Sequence, residues 1–188
     1  MKLLARRLAL WQEQTGYIEG DIDLYVYAYE VMFSYIFNLL IATIIAVATN
    51  NFITVLLFLV FFIPLRTFAG GYHAITHWRC MISSAIMLLL ISIAEKELLT
   101  FMNNWSIVIT IIIAGVIIFL FAPLEDSNKK LSESEIKVYK KRVRLIFSFE
   151  AMLCILFILL DFKLLSMIIA MSFIAEVTLL LLSLFKSK

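Results

Sequence analysis

Apolar runs of about 20 residues recur along this chain, and they restrict its fold more than any other feature. A helix of that length crosses a bilayer core of roughly 30 Å, and backbone in lipid must satisfy its own hydrogen bonds. Residues 24–49, 52–65, 81–94, 105–122, 145–160 and 164–185 read as six such spans. The chain is 63% hydrophobic and 16% charged, with a mean hydropathy of +1.01. Globular domains lie nearer half apolar and a quarter charged, so a soluble fold would lack polar surface to coat it. The expected fold class is all-α: a polytopic membrane protein with six transmembrane helices in a single domain, 1–188. A net charge of +2 is too small to imply nucleic acid.

The segments between the spans carry the polar residues. Residues 1–15 pattern as an amphipathic interfacial helix, with Leu3, Leu4, Leu8, Leu10 and Trp11 set among Lys2, Arg6, Arg7 and Gln12. The same cations interrupt any signal-peptide core. Gly16 and Gly20 mark a polar break, and Tyr25, Tyr27 and Tyr29 form an interfacial belt on the first span. Asn50-Asn51 predicts a tight turn, Glu95-Lys96-Glu97 with Asn103-Asn104 a short loop, and Asp161-Phe162-Lys163 a hairpin. Pro123 closes the fourth span. In the basic segment 124–144, Ser132 followed by Glu135 is a capping-box signature. It predicts a helix from about Glu133 that continues into the fifth span. With the N-terminus inside, 14 of the 16 Lys and Arg residues fall on the cytoplasmic side, leaving Lys96 and Lys163 outside. The positive-inside rule thus predicts a multi-pass protein with both termini cytoplasmic.

One stretch is unlike the rest. Residues 66–80 hold Gly70-Gly71, Arg66, Arg79, Cys80 and both histidines, His73 and His77. Cysteine and histidine together suffice for thiol nucleophilic catalysis. Cys80 lies at a membrane boundary beside Arg79, and positive neighbours favour the thiolate. A helix starting near Thr76 or His77 would add its N-terminal dipole. Cys154, midway through an apolar span, reads as packing. His73 and Cys80 are seven apart, which on one straight helix means about 10 Å of rise. A dyad therefore needs a bent or re-entrant segment, and Gly70-Gly71 give the backbone that freedom. Two other readings use the same residues. His73, His77 and Cys80 follow H-x3-H-x2-C, a spacing that could hold Zn²⁺. A transporter or channel could line its pathway with them, although no internal repeat is visible.

Three acids, Glu30, Glu150 and Glu176, fall inside apolar spans, where a charge faces the bundle interior, water or an arginine. Any of them could orient His73. The basic run from Lys129 and Lys130 to Arg144 is either a solvated face near anionic lipid or a dock for an acidic peptide.

Arg66, Ala69, Gly70-Gly71, His73 and Cys80 resemble the signature of the accessory gene regulator B family, bacterial membrane cysteine endopeptidases of peptide quorum sensing. The likeness extends to the amphipathic N-terminus, Glu30, the Ala122-Pro123 turn before a lysine-rich segment, and Glu176. Where some members have a proline after His-Ala, this chain has Ile75. The resemblance implies Cys80 as nucleophile and His73 as general base, with no cofactor or metal. Arg66, Gly70, Gly71, Glu30, Lys129 and Lys130 are then candidate substrate or transition-state contacts. It further implies a precursor peptide as substrate, closure of a thiolactone or lactone ring, a homodimer, and the bacterial cytoplasmic membrane as location.

Overall fold

The computed structural model describes residues 2–17, 20–70, 77–124 and 132–186. They form seven helices: α1 (Lys2–Gln14), α2 (Ile22–Ala48), α3 (Phe52–Ala69), α4 (His77–Phe101), α5 (Asn104–Phe121), α6 (Glu133–Leu159) and α7 (Lys163–Lys186). No strand occurs among the described residues. Four helices, α2, α3, α5 and α7, are long and apolar enough to cross a membrane. The third and fifth spans expected from sequence lie on α4 and α6, which join apolar length to charged turns.

The turns form where the sequence places them. Asn50 and Asp161 take positive φ, 54° and 59°, in the α2–α3 and α6–α7 connections. Both are residue types that tolerate this region. At the start of α6, Ser132 Oγ accepts from the Glu135 N–H while the Glu135 carboxylate accepts from the Ser132 N–H. This capping box satisfies donors that a helix start leaves orphaned, and α6 then runs unbroken into its apolar half.

Two boundaries differ from expectation. Glu95-Lys96-Glu97 is not a loop; α4 continues through it to Phe101, and only Met102 and Asn103 separate α4 from α5. Glu and Lys are good helix formers, so charge alone does not end a helix. The second span does not stop at Leu65 either: α3 carries Pro64 inside it and continues to Ala69.

The core is built around α7, which packs against α3, α4, α5 and α6. Met167, Ile168, Ile169, Ala170, Phe173 and Leu180 are fully buried along it. Phe173 meets Phe147 of α6, which also contacts Phe119 of α5 edge-on. On the other side α1 packs on α2. The residues α1 gives to the protein are Ala5 and Ala9, beside Val26, while Leu3, Leu4, Leu10 and Trp11 stay exposed. Small side chains let the two helices approach. The bundle exposes leucine, isoleucine and phenylalanine along α2, α5 and α6, a surface that only an apolar surrounding makes favourable.

Candidate active site

The polar stretch begins where α3 ends, and its start is pinned. Gly70 closes the helix with φ 71° and ψ −142°, a backbone region that is essentially open to glycine alone. Its neighbour across space is the chain after α5. The Leu124 N–H donates to the Ala69 carbonyl at 3.0 Å, and Gly70 and Leu124 form an isolated parallel bridge. A Cβ at position 70 would collide with the Leu124 backbone carbonyl. Of the two glycines predicted to bend the chain, Gly70 thus serves both conformation and close approach. Its own N–H is committed, donating to the Arg66 carbonyl at 3.4 Å.

Arg66, one turn earlier, reinforces this end. Its Nη1 donates to the Gly70 carbonyl and lies 3.5 Å from Glu176 Oε1 on α7. Glu176 is fully buried, and the Arg66 side chain is 16% exposed. Glu150 of α6 is also buried, 3% exposed. An arginine of α3 and a buried acid of α7 thus meet behind Gly70. The Oε2 atoms of Glu150 and Glu176 have no hydrogen-bond partner among the described residues. A buried pair of this kind adds little net stability but is costly to break from one side. It is better understood as fixing geometry.

The basic half of α6 covers the same helix end. Phe68 meets Tyr139 edge-on at 5.6 Å, and the Arg142 guanidinium stands 5.2 Å from its ring centroid. Of the three intramembrane acids, Glu176 has the arginine partner; Glu30 lies half-buried on α2.

Cys80 is on α4, which begins at His77, so it lies in the first described turn of that helix. This agrees with the helix start expected from sequence. Gly71, His73, Lys129 and Lys130 lie outside the described residues, as does the bend predicted between Gly70 and His77. Cys154 is the buried packing cysteine its position implied, its Sγ donating to the Ser166 carbonyl at 3.3 Å. No sequence signal marked Leu124 as the partner of Gly70. Glu150 and Glu176 stood out as anomalous acids, but the sequence did not show which of them meets Arg66.

The family model described as accessory gene regulator B matches residues 3–183. The chain belongs to that family. Protein FsrB of Enterococcus faecalis is a relative at 28% identity over 116 residues, covering 62% of this chain and 48% of that protein. The matched region therefore spans about half the length of that curated relative. No solved structure matches. Family membership together with the apolar helices makes this an integral membrane protein.

Proposed function

We propose that this protein is a membrane cysteine endopeptidase that trims and cyclises a quorum-sensing precursor peptide, with Cys80 as nucleophile and His73 as general base. The observation that carries the reading is the family match across residues 3–183, which includes both members of the dyad. The clamp behind Gly70 supports it. A dyad seven residues apart needs a fixed break before His73, and Arg66, Glu176 and Leu124 hold one at Gly70. His73 is three residues further on, so its Cα lies within roughly 10 Å of that of Gly70 by chain length alone.

The chemistry follows the general scheme for thiol nucleophiles. His73 takes the proton of Cys80 Sγ, and the thiolate adds to the scissile carbonyl. Collapse breaks the C–N bond, the amine of the departing tail receives the proton from His73, and the signal segment remains as a thioester on Cys80. A thiol within the precursor then attacks this thioester, giving its proton through His73 to the leaving Cys80 sulfur and closing a thiolactone. A precursor serine would close a lactone instead. Thioester exchange is nearly balanced, whereas forming the thioester from an amide is uphill. Removal of the tail and of the product draws the sequence forward without ATP.

Arg66, Gly70 and Gly71 border the reacting segment, and Glu30, Lys129 and Lys130 add polar contacts for the precursor. In this reading α4 and α6 span the bilayer with α2, α3, α5 and α7. That gives six spans with cytoplasmic termini in the bacterial cell membrane, and the family resemblance adds a homodimer.

Precursor processing in liposomes, read by mass spectrometry, tests the proposal. Wild type should release the tail and carry a transient adduct on Cys80, while Cys80→Ala and His73→Ala should release none. Cys80→Ser should retain at most a trace. Unchanged cleavage by Cys80→Ala would overturn the assignment.

A further inference from the structure

The peptidase reading makes no use of the groove on the other side of α6. An open groove of about 420 Å³ lies between the end of α5 and the basic half of α6, lined by Phe119, Lys137, Lys140, Lys141, Arg144 and Leu145. The four cations recur at helical spacing, so they share one face. That spacing sets like charges at i,i+3 and i,i+4, from Lys137 to Lys140 and Lys141 and from both of these to Arg144. Like charges at these spacings repel across a helix face. The acids of this half, Glu133 and Glu135, belong to the first turn, where Glu135 closes the capping box. The face therefore presents concentrated positive charge whose natural complement is an anion.

Arg144 is anchored. Its Nη2 donates to the Phe119 carbonyl at 3.2 Å, and its guanidinium stands 5.2 Å from the Phe119 ring centroid. The carbonyls ending α5 are orphan acceptors, and a cation there is favoured. Its Nε is buried with no partner among the described residues. The lysines, by contrast, are exposed and free to close on a ligand.

The occupant is indicated by where the cations stop. From Leu145 onward α6 is apolar to Leu159 except for Ser148, Glu150 and Cys154. Leu145 and Phe149, which follow the cations along α6, are exposed. An anion seated here would have exposed hydrocarbon next to it along the helix. A peptide carboxylate has no use for that surface, whereas a lipid phosphate with its acyl chains does. We propose that this groove seats the phosphate of an anionic phospholipid, with Arg144 as the fixed cation, Lys137, Lys140 and Lys141 closing over it, and the acyl chains lying on Leu145 and Phe149.

The test is retention of lipid by the purified full chain in mild detergent, measured by native mass spectrometry. Phosphatidylglycerol is titrated against phosphatidylcholine of the same chain length. Phosphatidylglycerol should be retained preferentially. Lys140→Gln with Lys141→Gln should weaken retention by roughly thirtyfold, taking about 1 kcal/mol for each lysine near a charged surface. Lys140→Arg with Lys141→Arg should restore it, separating lost charge from lost structure. Equal retention of the two lipids, or undiminished retention by the glutamine pair, overturns the proposal. So does displacement by water-soluble glycerol phosphate at the lipid's own concentration, which would make this a site for free phosphate. Displacement by a glutamate-rich peptide would make it a peptide dock, also against the proposal.

Discussion

Replacing Gly70 by alanine tests the clamp directly. Alanine at φ 71° and ψ −142° incurs backbone strain of about 1–3 kcal/mol. Its Cβ also meets the Leu124 carbonyl, a backbone group that cannot rotate out of the way. The chains must part, and the Leu124 N–H to Ala69 carbonyl bond goes with them, a net loss of about 0.5–1.5 kcal/mol. Together the change should destabilise the protein by about 2–4 kcal/mol. Gly115→Ala supplies the control. Gly115 is inside α5, and a Cβ there meets only the Phe147 ring edge at 3.2 Å. A few tenths of an ångström of ring movement offset the gain of about 1 kcal/mol that alanine brings to a helix interior, so the net change should be small. Unfolding titrations in mixed micelles, followed by tryptophan fluorescence, compare the two variants. Hydrogen exchange at the Leu124 amide should accelerate in Gly70→Ala alone. If Gly70→Ala falls within about 0.5 kcal/mol of wild type, the strain and contact estimates behind this account are wrong. The same holds if Gly115→Ala proves the more damaging change.

Glu176→Ala should cost about 1–3 kcal/mol, because it removes the buried carboxylate that faces Arg66 while the guanidinium keeps the Gly70 carbonyl. Glu176→Gln keeps an acceptor of the same shape and should cost less; equal losses in a stability titration would show that the pair is not coupled. Cys154→Ala should lower stability by about 1 kcal/mol through lost packing and the lost bond to Ser166, and leave precursor processing unchanged. A processing defect there would mean the two cysteines had been assigned wrongly. Ser132→Ala should destabilise the start of α6 by about 1 kcal/mol. It should appear as faster amide exchange over Glu133–Ile136, with none at the far end of the helix.

Much of the fold could be read from local signals. Helix starts and turns depend on near neighbours, so Ser132 with Glu135, Asn50 and Asp161 announced themselves. Gly70 did so in part: its type showed that the chain could bend, but the backbone that makes glycine obligatory lies more than fifty residues away. Continuations were harder. Pro64 and the run Glu95–Glu97 look like breaks, yet each lies within a helix that continues beyond it. The inward face of α1 was not announced at all: leucine and tryptophan draw attention, whereas Ala5 and Ala9 are buried for being small. In the candidate site, each acid was visible as a misfit in an apolar run. Which one met Arg66 was not, because a uniformly apolar helix has no periodicity to reveal its inward face.

Every helix that α7 packs against precedes it in the sequence. Chains are made from the N-terminus, so α3, α4, α5 and α6 leave the ribosome before the helix that fills the space between them. Until α7 arrives, Arg66 has no Glu176 to meet, and the faces that will receive Ile168, Ile169 and Phe173 must be covered by lipid or by one another. The bundle is therefore completed late, in one step. The Gly70–Leu124 contact needs only α3 and the end of α5, whereas the Arg66–Glu176 contact waits for α7, so a nascent chain would complete this clamp together with its core.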